Sequence, residues 1–172
     1  MNITVDIRIK PYLQEFYECM LGMPIQASKK NLIGPIIYPH LETPPKKLPE
    51  KNPKYNYMTV ELVDFENKRI EYKNYISEFN QPNIASLLHN LFKEIFFKFV
   101  DARMEAGFNK KTSIFQFCER YNVSYNQVNY ENLKKKHDRY VKELKKNKKS
   151  LQKNHQVLSR SLSQKLTLAI IL

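Results

Sequence analysis

One segment of the 172-residue chain constrains everything else. Ile84 to Ala106, IASLLHNLFKEIFFKFVDARMEA, is its most apolar stretch. Leu87, Leu88, Leu91, Phe92, Ile95, Phe96, Phe99 and Val100 recur at helical spacing and cover more than one face, so a helix here must be packed on several sides. Pro82 and Asn83 suit its start, and Gly107 its end. A hydrophobic fraction of 42% supplies the core such a helix needs. His89 has no second ligand at i+3 or i+4, so it reads as a packed or edge residue.

The preceding segments provide partners for this helix. Ile3, Val5, Ile7 and Ile9 alternate with Thr4, Asp6, Arg8 and Lys10, the period of a strand with one buried face. Pro11 ends that strand and opens a helix, in which Leu13, Phe16, Tyr17, Met20 and Leu21 fall at helical spacing. NLIGPIIYPHL is interrupted by Gly34, Pro35 and Pro39, so a helix there starts late, at Pro35. Residues 42–54 hold four prolines among lysines and read as an extended linker. Beyond it, Tyr57 to Val63 and Arg69 to Tyr75 around Asp64 to Lys68 read as a hairpin.

The expected fold class is α+β, a small antiparallel or mixed sheet of the N-terminal strand plus the hairpin, resting on the buried core helix. A C-terminal helix-turn-helix and a long basic helix follow. The expected divisions are 1–41, the linker 42–54, a body over 55–149 and a basic tail over 150–172.

The helix-turn-helix expectation rests on a repeated frame. Ser-x-x-Gln occurs at Ser113 to Gln116 and again at Ser124 to Gln127. Such a frame makes a capping box, in which the hydroxyl accepts from the N3 amide and the Gln side chain returns to the cap amide. Two boxes predict a first helix from about Ile114 to Tyr121 and a second from Tyr125, with Asn122 left-handed between them.

This stretch resembles the helix-turn-helix of DNA-binding proteins through Cys118, Tyr121, Asn122, Val123, Ser124 and Val128. It departs from the pattern at Glu131, where Tyr130 or Leu133 has to supply the packing. The resemblance implies that the second helix enters the major groove. Tyr125, Asn126, Gln127 and Asn129 would then face base edges, and Lys134, Lys135, Lys136 and Arg139 would meet phosphates. The N-terminus is also similar to the ribbon-helix-helix fold, with Thr4, Asp6, Arg8 and Lys10 outward. Gly34 and Pro35 break its second helix, which favours an ordinary core strand.

Charge points the same way. The net charge is +12, and from Glu131 onward twelve Lys or Arg face three Asp or Glu. A segment so basic attracts phosphate by releasing counterions, which favours duplex DNA as partner. The alternative is an assembly or interaction protein that docks its basic region on nucleic acid or an acidic partner without reading sequence. An RNA-binding role for Tyr121, Tyr125 and Tyr130 lacks a sheet motif of the known RNA modules. Leu144, Leu151 and Leu158 at sevenfold spacing leave a weak homo-oligomer seam.

Two cysteines, Cys19 and Cys118, match no disulfide framework or zinc spacing, and four scattered histidines and three glycines offer no catalytic or phosphate-loop frame. The expectation is therefore a non-enzyme with no cofactor, metal or small-molecule substrate. No apolar leader or spanning segment is evident, so a cytoplasmic protein with no membrane partner is expected. A bias toward Lys, Asn, Ile and Tyr is typical of AT-rich coding, as in phages and mobile elements, where a small regulator of transcription or an accessory factor would fit.

Overall fold

The computed structural model describes residues 3–28, 30–63, 70–126, 129–147 and 149. The chain divides into two compact units, Met1–Asn126 and Gln127–Leu172. In the first, alternation makes β1 (Ile3–Arg8) with Val5 and Ile7 buried. Pro11 then opens α1 (Pro11–Leu21), which buries Leu13, Phe16 and Tyr17. β2 (Ile25–Ala27), α2 (Gly34–Ile37) and a 3-10 turn (Tyr38–His40) precede β3 (Tyr57–Leu62), α3 (Gln81–Glu105) and α4 (Lys110–Arg120).

The sheet is mixed, in the order β1-β3-β2. β3 runs antiparallel to β1, with Val5 opposite Val60 and Ile7 opposite Met58, and parallel to β2, with Ile25 opposite Val60. The α+β class and the small mixed sheet are as expected, but the third strand is different. Residues 70–72 form a turn, and Tyr75 makes an isolated bridge to Glu42 instead of pairing with β3. The hairpin is therefore a correction for residues 70–75; its turn, with Arg69, lies outside the described residues. β3 already has β1 on one edge and β2 on the other, so a hairpin partner has no edge left to bind. The ribbon-helix-helix likeness also falls away, because α2 is a single turn and β1 pairs within this sheet. Gly34 is needed there for close approach, since a Cβ would lie 2.1 Å from the Ser28 carbonyl oxygen.

α3 crosses the unit and buries Ile84, Leu88, Phe92, Phe96 and Val100 at steps of four. The expectation of packing on several sides is met only in part: Leu91, Ile95 and Phe99 are half-buried flanks, and Leu87 is exposed. At its start the buried Gln81 side chain accepts from the Arg8 amide (2.7 Å) and donates to the Asp6 carbonyl (2.8 Å). It thereby supplies the hydrogen bonds that a further strand would give the outer edge of β1. Tyr17 donates its hydroxyl to the Leu88 carbonyl at 2.7 Å, tying α1 to α3.

Rings from three helices complete the core. Phe117 of α4 lies 5.9 Å from Phe16 of α1 and 5.7, 5.0 and 5.5 Å from Phe92, Phe96 and Phe99 of α3, measured between centroids. His89 packs at the edge of this layer, 6.5 Å from Tyr12 and 6.4 Å from Phe92. Burial pushes the Cys118 thiol up to about 12 from its ordinary 9.0, so at neutral pH it is a small core residue.

The first capping box is also a correction. α4 starts three residues before Ser113, and its cap is Asn109, whose side-chain oxygen accepts from the Thr112 amide at 2.9 Å. Ser113 is buried one turn into the helix, where its hydroxyl donates back to the Asn109 carbonyl at 2.9 Å. Gln116 accepts from Arg103 Nε at 2.8 Å. Asn109→Ala is therefore expected to lower stability by about 0.5–2 kcal/mol in urea unfolding. Ser113→Ala should cost less, because the Ser113 amide still satisfies the same carbonyl. A larger loss at Ser113 than at Asn109 would show that the cap has been misplaced.

Candidate nucleic-acid interface

The turn expected between two helices is present at the end of α4. Asn122 has φ of 49°, its amide donates to the Glu119 carbonyl at 3.3 Å, and the Val123 amide donates to the Cys118 carbonyl at 2.9 Å. This pair of bonds is a Schellman motif with Asn at C′, and Val123 and Cys118 are both buried beneath it. The backbone chemistry expected at Asn122 is thus present.

Beyond the turn the chain departs from the expectation. Tyr125 and Asn126 are exposed and not helical, and helical structure is described from residue 129. The start at Tyr125 is a correction with a local cause. Ser124 gives both its amide (2.8 Å) and its hydroxyl (2.7 Å) to the Glu15 carboxylate on α1, which ties the chain to the first unit. Tyr125 meets Phe115 edge-on at 5.3 Å, an aromatic contact on the surface of the first unit.

The residues assigned to the groove therefore divide between the two units. Tyr125 and Asn126 belong to the first. Gln127 and Val128 lie outside the described residues. Asn129, Lys134, Lys135, Lys136 and Arg139 belong to α5, the helix over residues 129–147 of the second unit. Lys134 sits over the Tyr130 ring at 5.9 Å.

On α5 the charges follow helical geometry. Lys135, Arg139, Lys142 and Lys146 are exposed at spacings of four, three and four, and Lys149, helical and exposed, continues the series. At 1.5 Å per residue the five span about 21 Å along one side of the helix. Leu133, His137, Tyr140 and Val141 project from the opposite side by the same spacing. Among the described residues none of the five cations has an ion-pair partner. Lys142, Lys146 and Lys149 fall outside the set implied by the helix-turn-helix resemblance, although their +4, +3 spacing is legible in the sequence. Leu144 of the suggested seam is exposed; Leu151, Leu158 and the tail 150–172 lie outside the described residues.

No protein-family model, curated protein or solved structure matches the chain. Among the described residues no helix is long and apolar enough to cross a membrane, and no group of three His, Cys, Asp or Glu side chains could hold a metal ion.

Proposed function

We propose that the protein binds nucleic acid, duplex DNA first, by laying the cationic side of α5 along the phosphate backbone. One observation carries this reading, the row of five exposed and unpaired cations from Lys135 to Lys149. A row of this kind meets phosphates and positions a protein on the duplex without reading base edges. Sequence recognition by Tyr125, Asn126, Gln127 and Asn129 is a narrower reading of the same partner, favoured by the left-handed turn at Asn122. If it operates, Tyr125 and Asn126 reach the bases from a non-helical segment rather than from the first turn of a helix.

The test is binding of the full chain to duplex DNA across a salt series. Up to five phosphate contacts predict a slope of log affinity against log salt of up to about −4.5. Absence of binding at low salt sinks the proposal and leaves an acidic protein as the partner of this surface. Competition between genomic fragments and random duplex then separates the two readings. With a preferred fragment, Asn126→Ala should weaken that site by about 1–3 kcal/mol and spare random duplex. Equal competition points to backbone docking, as in packaging or assembly.

A further inference from the structure

A second cationic feature lies in the first unit, formed by residues far apart in the chain. A cleft of about 570 Å³ opens between the end of β1, the first turn of α1, the segment before β3 and the first turns of α3. Its lining includes Arg8, Lys10 and Lys54, together with Tyr55, Ser86 and His89, and holds no carboxylate. The walls are held in place. The Ile9 amide donates to the Asn56 carbonyl at 3.0 Å and Asn56 Nδ2 donates to Gln14 at 2.7 Å, which keeps residues 54–56 beside Lys10.

The three cations are not equivalent. Arg8 is partly neutralised by Glu78, at 3.2 Å, and its guanidinium lies 4.2 Å from the centroid of the Tyr55 ring. Lys10 and Lys54 have no ion-pair partner among the described residues. The cleft therefore carries two uncompensated ammonium groups. Tyr55, on the same wall, is 46% exposed, and the Arg8 guanidinium lies over one face of its ring, so a planar ligand would share the aromatic group with that cation. Ile9, Leu13 and Ala85 add apolar surface. A cleft of this size suits a small ligand, and convergent polar groups over an apolar floor are what such sites share.

We infer that this cleft binds a mononucleotide-like ligand, its phosphate on Lys10 and Lys54 and its planar ring against Tyr55. The cleft is lined only by residues of the first unit, and the inference does not depend on α5 binding nucleic acid.

The probes are AMP, adenosine and inorganic phosphate, titrated into the full chain by calorimetry. AMP should bind saturably at one site, with adenosine and phosphate each at least tenfold weaker. Lys10→Ala and Lys54→Ala should each weaken AMP about tenfold, the usual scale for losing a charge-assisted hydrogen bond. Lys10→Arg should retain most of the affinity. Tyr55→Ala should weaken AMP and leave phosphate unchanged. Neutralising Lys135, Arg139, Lys142 and Lys146 on α5 should leave AMP binding intact, even if it abolishes DNA binding. The inference is overturned if AMP binding fails to saturate or follows the α5 substitutions. It is equally overturned if adenosine or phosphate binds as tightly as AMP.

Discussion

Phe117→Ala is expected to lower the stability of the first unit by about 3–5 kcal/mol, the cost of truncating a fully buried phenylalanine. Phe117 has no exposed surface and touches rings from α1 and α3 as well as Tyr121 on its own turn, at 4.8 Å. The remaining rings are fixed by one another, so the space left behind cannot close without moving two other helices. Against a typical total of about 5–15 kcal/mol this is a large share, and the thermal midpoint should fall by roughly 10 °C. Phe115, two positions away on α4, is 40% exposed, and Phe115→Ala should cost much less. Urea unfolding of the two variants decides the matter. Equal losses would mean that α4 is not held by its Phe117 side.

The second large effect concerns α5. Replacing Lys135, Arg139, Lys142 and Lys146 together by Ala should reduce the salt slope of duplex binding by about 3 to 4 units, most of it, since each phosphate contact contributes about 0.9. Lys46 and Lys47 are the control, because they are charged and exposed but lie in the proline-rich segment 42–54, outside α5. Neutralising them should leave the slope within about half a unit of the parent. If both variants instead shift binding in proportion to charge removed, attraction is a property of the net +12 and the row on α5 has no special part.

Local patterns identify the local elements. Alternation locates β1, Pro11 marks α1, and the apolar periodicity of residues 84–106 locates α3 to within three residues of its start. The third strand is hidden because β2 is only Ile25–Ala27, too short to show a period, and its parallel register with β3 is set by distant packing. Residues 70–75 look strand-like in isolation, but β3 has no vacant edge for them. The Ser-x-x-Gln frames fail for two different reasons. At Ser113 an earlier cap, Asn109, captures the helix start one turn sooner. At Ser124 a carboxylate from Glu15, 109 residues away in the chain, captures the hydroxyl and amide. A four-residue frame contains no information about either competitor. The row on α5 can be read from spacing alone, whereas the cleft at Lys10 and Lys54 draws on three separate segments of the chain and is invisible to any local pattern.

The position of β3 has a consequence for how the chain is made. The central strand of the sheet is the last to be synthesised, and both strands that flank it leave the ribosome earlier. Until Tyr57–Leu62 has emerged, β1 and β2 lack the neighbour that each pairs with, and Val5, Ile7 and Ile25 have no sheet in which to be placed. The proline-rich residues 42–54 are translated just before it. The nascent N-terminal segment thus carries two incomplete strand edges through that interval, a stage at which a holding chaperone finds exposed apolar surface and a stalled chain has nothing to fold onto.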